Sequence, residues 1–306
     1  MSRDALIGVD LGGTKIECAV LGPDGSVVWR ERAATPQGDY AATVETVSRL
    51  VGLARAHAPS APGVGVAWPG STSPVTGLHR NANSTCLNGR PLRADLERRL
   101  GMPVRGSNDA NCFALSEAVD GAGQGASVVF GVILGTGCGG GVVVRGRPLE
   151  GCNGIAGEWG HMPLPAATAD EREAPGCWCG RGRCLEVFLS GPGVEADFAR
   201  RGGAVGTRLP RIAQAAAEGQ PVAISTIERW IDRLGRSLAV VCDLLDPDVV
   251  VLGGGASLVP GLADRLPDAT RPHAFTDALR TRFVTARHGD ASGVRGAARL
   301  FATLSP

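Results

Sequence analysis

The chain is poor in lysine, in aromatic residues and in net charge, and each shortage excludes something. Its 306 residues carry 31 basic and 30 acidic side chains, and the bases are scattered. With a net charge of +1 there is no basic stripe of the kind nucleic acid or an anionic membrane surface requires. No apolar run reaches the roughly 18 residues of a membrane span. Met1-Ser2-Arg3-Asp4 runs straight into an apolar strand, without the basic, hydrophobic and small-residue regions of a secretory leader. Nine cysteines is an odd count, with three gathered at 177–184 and six dispersed. That distribution fits a reducing cytoplasm and one metal site better than a disulfide framework. The expected partner is a small, weakly charged molecule. Lysine occurs once, at Lys15, against 30 arginines. An ammonium is a compact point charge where a guanidinium is a wide fork, so Lys15 is either wanted for its shape or a product of arginine-biased composition.

What is present is glycine, at turns between apolar strands. Ala5 to Asp10, Ile16 to Leu21 and Ser26 to Trp29 alternate with Gly12-Gly13-Thr14 and Gly22-Pro23-Asp24-Gly25, which predicts three short antiparallel strands. Apolar residues at helical spacing over 40–57 predict a helix, Gly63 to Ala67 a buried strand, Pro91 to Leu100 a helix with proline at its start, and the chain near Val104 another strand. The opening pattern then returns: Val128 to Leu134, a Gly135-Thr136-Gly137 turn, and Gly141 to Val144. A repeated unit of strand, glycine loop and strand implies two related lobes. A long amphipathic helix is expected near 221–245, a buried strand at Val249 to Leu252 ending in Gly253-Gly254-Gly255, and a last helix near 292–302.

Asp10-x-Gly12-Gly13-Thr14-Lys15 lies between strands, where glycines let the backbone approach a ligand and direct its N–H groups at phosphate oxygens. Thr14 offers a hydroxyl and Lys15 a charge, while Asp10 is placed to hold Mg²⁺ through water, since that ion keeps much of its hydration. The alternative is a hairpin turn with glycines for conformation only. Gly135 to Gly140 contains the spacing of a dinucleotide-binding loop, but that fingerprint needs a helix directly after the glycines. Gly141-Val142-Val143-Val144 reads as a strand, which rejects a nicotinamide site. Gly254 and Gly255 follow a buried strand as a platform for a nucleotide base or ribose would.

Asp109 stands at or near the start of a helix marked by Phe113, Leu115 and Ala118. There it suits an N-cap, and it equally suits a base that accepts a hydroxyl proton late in phosphoryl transfer. Cys177-x-Cys179-x4-Cys184, set among Gly176, Gly180 and Gly182, suits tetrahedral Zn²⁺, with His161 the nearest upstream fourth ligand. Reduced thiols in a loop, or another fourth ligand, are the alternatives. Glu158 and Glu186 flank this knuckle and are suited either to sugar hydroxyls or to a solvated face.

Gly157-Glu158-x-Gly160-His161, Cys177-x-Cys179-Gly180-x-x-x-Cys184-x-Glu186 and Ser190-Gly191 together resemble the signature of ROK-family sugar kinases, and the likeness runs from Ile7 to Ala298. The resemblance implies an α/β protein of the actin-like, ribonuclease H-like ATPase fold: two lobes from a duplicated βββαβαβα unit with the nucleotide in the cleft. The small lobe would span 1–107, completed by a C-terminal helix at 291–306, and the large lobe 108–290, with the zinc knuckle at 161–184. It implies that Gly70, Asn83, Asn108, Glu158, His161 and Glu186 bind the sugar and that Asp109 deprotonates it. Asp10, Gly12, Gly13, Thr14, Lys15, Thr136, Gly137, Gly254 and Gly255 would bind ATP with Mg²⁺, and His161, Cys177, Cys179 and Cys184 a structural Zn²⁺. A homodimer is implied as well. Asn81-Ala82-Asn83-Ser84-Thr85 and Gly137-Cys138-Gly139 are most similar to bacterial fructokinases of the mannofructokinase type, so fructose to fructose 6-phosphate is the expected reaction, with N-acetylglucosamine kinase or glucokinase the alternatives. Trp68 and Cys86 depart from that pattern and are expected to reshape the sugar pocket. A sugar sensor or an ATPase that phosphorylates no sugar is the reading of another class.

Overall fold

The structure is a computed structural model and describes residues 4–302. Its first sheet begins with the three expected strands, β1 (Leu6–Leu11), β2 (Lys15–Leu21) and β3 (Val27–Ala34), paired antiparallel. The third is longer than its apolar residues suggest, because it follows β2 as an exposed edge carrying Arg30, Glu31 and Arg32. Helix α1 (Tyr40–Ala54) starts where the Asp39 carboxylate accepts the Ala42 N–H at 3.0 Å. Strand β4 (Val64–Trp68) is parallel to β1. After it come a two-stranded ribbon, β5 (Ser71–Thr72) and β6 (His79–Arg80), then helix α2 (Leu92–Leu100) and strand β7 (Val104–Asn108), parallel to β4. The order is β3-β2-β1-β4-β7.

Helix α3 (Asp109–Asp120) leads to the second sheet: β8 (Val128–Leu134), β9 (Cys138–Val144), β10 (Arg147–Pro148), β11 (Val249–Gly253) and β12 (Arg282–Thr285). Its order, β10-β9-β8-β11-β12, reproduces that of the first sheet, with β8 in the place of β1 and β11 in the place of β4. The duplication expected from the glycine turns is therefore a duplication of the sheet topology. Between β10 and β11 lie α4 (Leu185–Leu189), α5 (Gly191–Arg200), α6 (Leu209–Ala217) and α7 (Pro221–Leu245), the last with the bounds its periodicity predicts. Helix α8 (Leu262–Thr270) precedes β12, and α9 (Ser292–Arg299) closes the fold. The helix ends at Arg299, short of the 302 its periodicity predicts; the family resemblance carries it to 306, but residues 303–306, like 1–3, lie outside the described range. No helix among the described residues is long and apolar enough to cross a membrane.

Contacts divide the chain into two compact units, one of residues up to Gln124 with Gly141–Gly157 and from Asp290 onward, the other of Gly125–Gly140 and Glu158–Gly289. The sequence puts the boundary at 107/108, whereas α3 groups with the first unit because it packs along α9. Helix α9 also lies across β1 and β4, and it comes so close that a Cβ on Gly65 would overlap the Ala297 carbonyl. Trp68 belongs to this core. Its ring, 2% exposed, meets His79 edge-on at 5.5 Å and fills the space left by the missing side chain of Gly106. Trp68 is a packing residue matched to a glycine.

In the second unit α7 holds the loop between His161 and Cys177 by ion pairs. Arg233 donates to Glu171 Oε1 at 2.7 Å and Arg236 to both Glu171 oxygens at 2.9 and 3.1 Å, while Arg236 also reaches the Pro165 carbonyl at 2.7 Å. Burial alone raises the Glu171 pKa, but the hydrogen bonds from Arg236 and Arg233 outweigh it and bring the carboxyl down to about 2. A carboxylate depressed below its unfolded value stabilises the fold above pH 4.5 and loses that contribution as pH falls toward 2. Glu171→Ala removes the carboxylate shared by two buried guanidinium groups, leaving Arg233 with Asp197 and Arg236 with Asp232, and costs about 3 kcal/mol at pH 7. Urea unfolding of both proteins from pH 7 to pH 3 should show the gap narrowing below pH 4.5.

Candidate active site

In the first unit the loop between β1 and β2 is tied down by its carbonyls. Thr35 donates through Oγ1 to Gly12 O at 2.7 Å and through its N–H to Thr14 O at 3.0 Å, and Gly12 N–H closes the turn on Lys15 O at 3.0 Å. Gly13, Thr14 and Lys15 stay exposed. Gly13 and Thr14 share a cavity of about 390 Å³ with Asn83 and Cys86, so the structure brings two expected phosphate-loop residues and one expected sugar residue together. Cys86 lines this cavity. Lys15 Nζ lies 4.0 Å from the exposed Asp290, a pair whose exposure leaves it little strength.

Asp10, at the end of β1, is the most perturbed acid here. Burial is the largest cause, and the nearby charges of Asp109 and Glu17 add to it against the pull of Lys15, pushing its pKa to about 7. Glu17 is itself buried, with Arg32 at 2.5 Å. Asp109 is the first residue of α3, exposed, with Oδ1 accepting its neighbour Ala110 N–H at 2.8 Å. The N-cap, a role the sequence left open to Asp109, belongs to Asn108, whose side-chain oxygen accepts the same N–H at 2.9 Å. Asn108 Nδ2 in turn donates to Gly70 O at 3.2 Å, joining two more of the expected sugar residues.

In the second unit Gly135 N–H closes the glycine turn on Gly137 O at 3.0 Å, with Thr136 exposed at its tip. The continuation is β9, a strand, as the rejection of a dinucleotide site requires. Glu186, in α4, reaches this turn: its Oε2 accepts the Cys138 N–H at 3.1 Å, and a Cβ on Gly137 would lie 2.6 Å from the same oxygen. Trp159 fixes the segment before His161 by donating to Gly139 O at 2.9 Å and packing edge-on against Phe130. Glu158 is partly buried, and burial raises its pKa, with His161 lowering and Glu186 raising it. Gly254 and Gly255 are exposed at the end of β11, where Gly254 O accepts the Ser257 hydroxyl at 2.7 Å.

The ligand atoms of His161, Cys177, Cys179 and Cys184 all lie within 4.8 Å of one another. Cys177 Sγ is 3.7 Å from His161 Nδ1, and Cys179 Sγ is 3.6 Å from Cys184 Sγ. Sulfurs bound tetrahedrally at 2.3 Å sit about 3.8 Å apart, so the donor set fits Zn²⁺ in kind, number and spacing. The backbone builds the knuckle independently, through Cys177 N–H to Arg181 O at 2.8 Å and Leu185 N–H to Met162 O at 2.8 Å. The sequence missed Trp178, whose indole N–H donates to Glu186 Oε1 at 2.6 Å. Only its place between two candidate ligands could have drawn notice to it.

A sequence model of the ROK family matches residues 6–303. The chain belongs to the ROK family. It is 40% identical over 299 residues, 96% of its length and 97% of the relative's, to a protein of Pectobacterium atrosepticum named N-acetyl-D-glucosamine kinase. Among solved structures, a ROK hexokinase from Thermus thermophilus superposes with a TM-score of 0.83 at 31% identity, covering 96% of both chains. A ROK glucokinase from Streptomyces griseus, in complex with glucose and AMPPNP, does so with 0.76 at 29% identity over 97% of this chain and 98% of its own. The ROK sugar-kinase resemblance and the actin-like ATPase fold read from the signature stand confirmed. The fructokinase subtype does not: the name carried by these curated relatives is that of the alternative, N-acetylglucosamine kinase.

The ROK chain keeps Asp10 partly buried beside other carboxylates, and a raised carboxyl pKa costs stability as pH rises from the unfolded value of 3.8 through about 7. In metal-free and nucleotide-free protein Asp10→Asn should therefore raise the melting temperature by a few degrees at pH 8 and leave it unchanged near pH 4. Calorimetric scans at the two pH values check this.

Proposed function

We propose that this ROK-family chain is an ATP-dependent kinase that transfers the γ-phosphate of ATP to a hydroxyl of N-acetylglucosamine. The observation that carries the choice of sugar is the 40% identity to N-acetyl-D-glucosamine kinases over nearly the full length of both chains. The glucokinase complex with glucose and AMPPNP favours glucose as the second reading.

In this reading Asn108, Glu158, His161 and Glu186, with Gly70 and Asn83, hold sugar hydroxyls. Asp109 accepts the proton of the attacking hydroxyl as its oxygen bonds to the γ-phosphorus and the bond to the ADP oxygen breaks. The loose transition state of phosphoryl transfer needs alignment more than a strong base, so an exposed aspartate on the first turn of a helix is adequate. The loop residues Gly12 to Lys15, with Thr136 and Gly137, face the phosphates, and Gly254 and Gly255 support the nucleoside. Asp10 would hold Mg²⁺ through water, and the ion supplies charge neutralisation of the phosphate oxygens when bound. A partly buried carboxyl crowded by Asp109 and Glu17 supports that role, because a cation relieves the crowding. His161, Cys177, Cys179 and Cys184 would hold a structural Zn²⁺ that fixes the loop bearing His161.

The direct test is the initial rate of ADP formation with ATP and Mg²⁺ over N-acetylglucosamine, glucose, fructose, mannose and N-acetylmannosamine. The largest kcat/KM is expected with N-acetylglucosamine, and a maximum with glucose or fructose overturns the choice of sugar. Asp109→Asn should lower kcat by about 10²–10⁴-fold while leaving the sugar dissociation constant within a factor of a few. For the metal, emission spectrometry of purified protein should find about one zinc per chain, and Cys179→Ser should lower both the zinc content and the melting temperature.

A further inference from the structure

We infer that Trp178 is a positioning residue for the sugar site: its indole N–H aims the Glu186 carboxylate. The inference rests on the reading in which Glu186 receives a sugar hydroxyl, and it adds a residue which that reading does not include.

Three observations converge on this side chain. Trp178 is 62% exposed, an unfavourable place for the largest apolar side chain, whereas Trp68, Trp159 and Trp230 are 2%, 4% and 0% exposed. Its ring is nonetheless held: it stands edge-on to the His161 imidazole with centroids 5.3 Å apart and planes at 81°. Its single donor is spent on Glu186 Oε1 at 2.6 Å, a short charge-assisted bond.

Glu186 is thus gripped from two directions. Oε2 takes the Cys138 N–H at 3.1 Å, from the strand that follows the glycine turn, and Oε1 takes the indole. The Cys177 sulfur lies 3.8 Å from the same Oε1. A carboxylate has about four acceptor sites, so two remain for hydroxyls after these N–H donors are satisfied. Fixing both oxygens selects one orientation of the remaining lone pairs, and that orientation is what a cyclic array of equatorial hydroxyls reads. A carboxylate free to rotate about χ3 pays ordering entropy on each binding event. The knuckle supplies the geometry: Trp178 lies between Cys177 and Cys179, so the turn that gathers the thiols also fixes where the indole points. A smaller residue at 178 leaves the knuckle's backbone bonds intact and removes the clamp.

The test is Trp178→Phe, which keeps an aromatic ring against His161 and deletes the N–H. Zinc content and melting temperature should match the parent within error. The KM for the sugar should rise roughly ten- to hundredfold, the loss expected for a hydrogen bond to a charged group, while the KM for ATP stays within twofold. Parent protein should show a sugar-dependent change in intrinsic fluorescence, because an exposed indole bonded to the sugar's own ligand senses its occupancy. That change should be mostly absent in Trp178→Phe. An unchanged sugar KM with the fluorescence response retained overturns the inference, and so does a KM rise accompanied by loss of zinc. Glu186→Gln, measured alongside, separates the two levels of the argument. If it leaves the sugar KM unchanged, the sugar-binding reading of Glu186 fails. If it raises the KM and Trp178→Phe does not, only the role of Trp178 fails.

Discussion

The crowding of carboxyl groups at the end of β1 is the constraint on which the first unit depends. Asp10 is partly buried, lies near Asp109 and the buried Glu17, and responds by holding its proton to about pH 7. An apolar residue there would be more stable, so the carboxyl is retained against folding rather than for it. The surroundings serve the same carboxyl. Gly293, at the start of α9, comes close enough that a Cβ would meet Asp10 Oδ2 at 2.5 Å, and the close seating of α9 at Gly65 keeps that end of the helix in place. Arg32 and Arg30 take up the charge of Glu17 from the other side of β2. What lowers the cost of an ionised Asp10 is a cation, and the Mg²⁺ proposed to accompany the nucleotide would supply it.

The second unit solves a different problem, that of holding exposed loops still beside its core. The thiol and imidazole cluster ties 161 to 184, and the Glu171 pairs with Arg233 and Arg236 tie the intervening loop to α7. Glu186 then links the knuckle to the glycine turn through the Cys138 N–H. Glycine at 137 is required by that contact, because the carboxylate occupies the place a side chain would take. One residue type thus serves two purposes in the chain: turns near ligands, and close approach between elements.

Much of this was legible in the sequence for physical reasons. The duplicated sheet showed in apolar strands broken by Gly-Thr turns, α7 in its 3.6-residue period, and the knuckle in the spacing of Cys177, Cys179 and Cys184. The rest depends on contacts far apart in the chain. The N-cap of α3 fell to Asn108 because its side chain also bonds Gly70, a partner 38 residues away. Trp68 looked like a change to the pocket because its matching vacancy, Gly106, lies on a neighbouring strand. Helices α4 to α6 were not predicted because each is ten residues or shorter, too short for a period to emerge. The sugar subtype was misjudged because short loop motifs shared across the family were weighed above similarity along the whole chain.

The account is tested most directly at Asp10 itself. With aspartate labelled at the side-chain carboxyl carbon and assigned through Asp10→Asn, the carbon-13 shift can be followed against pH in free protein and with Mg²⁺ and a non-hydrolysable ATP analogue. The account predicts a midpoint near 7 in the free protein that falls well below the ordinary aspartate range when the magnesium nucleotide binds. An ordinary midpoint in the free protein, or one that the magnesium nucleotide leaves unmoved, would contradict it.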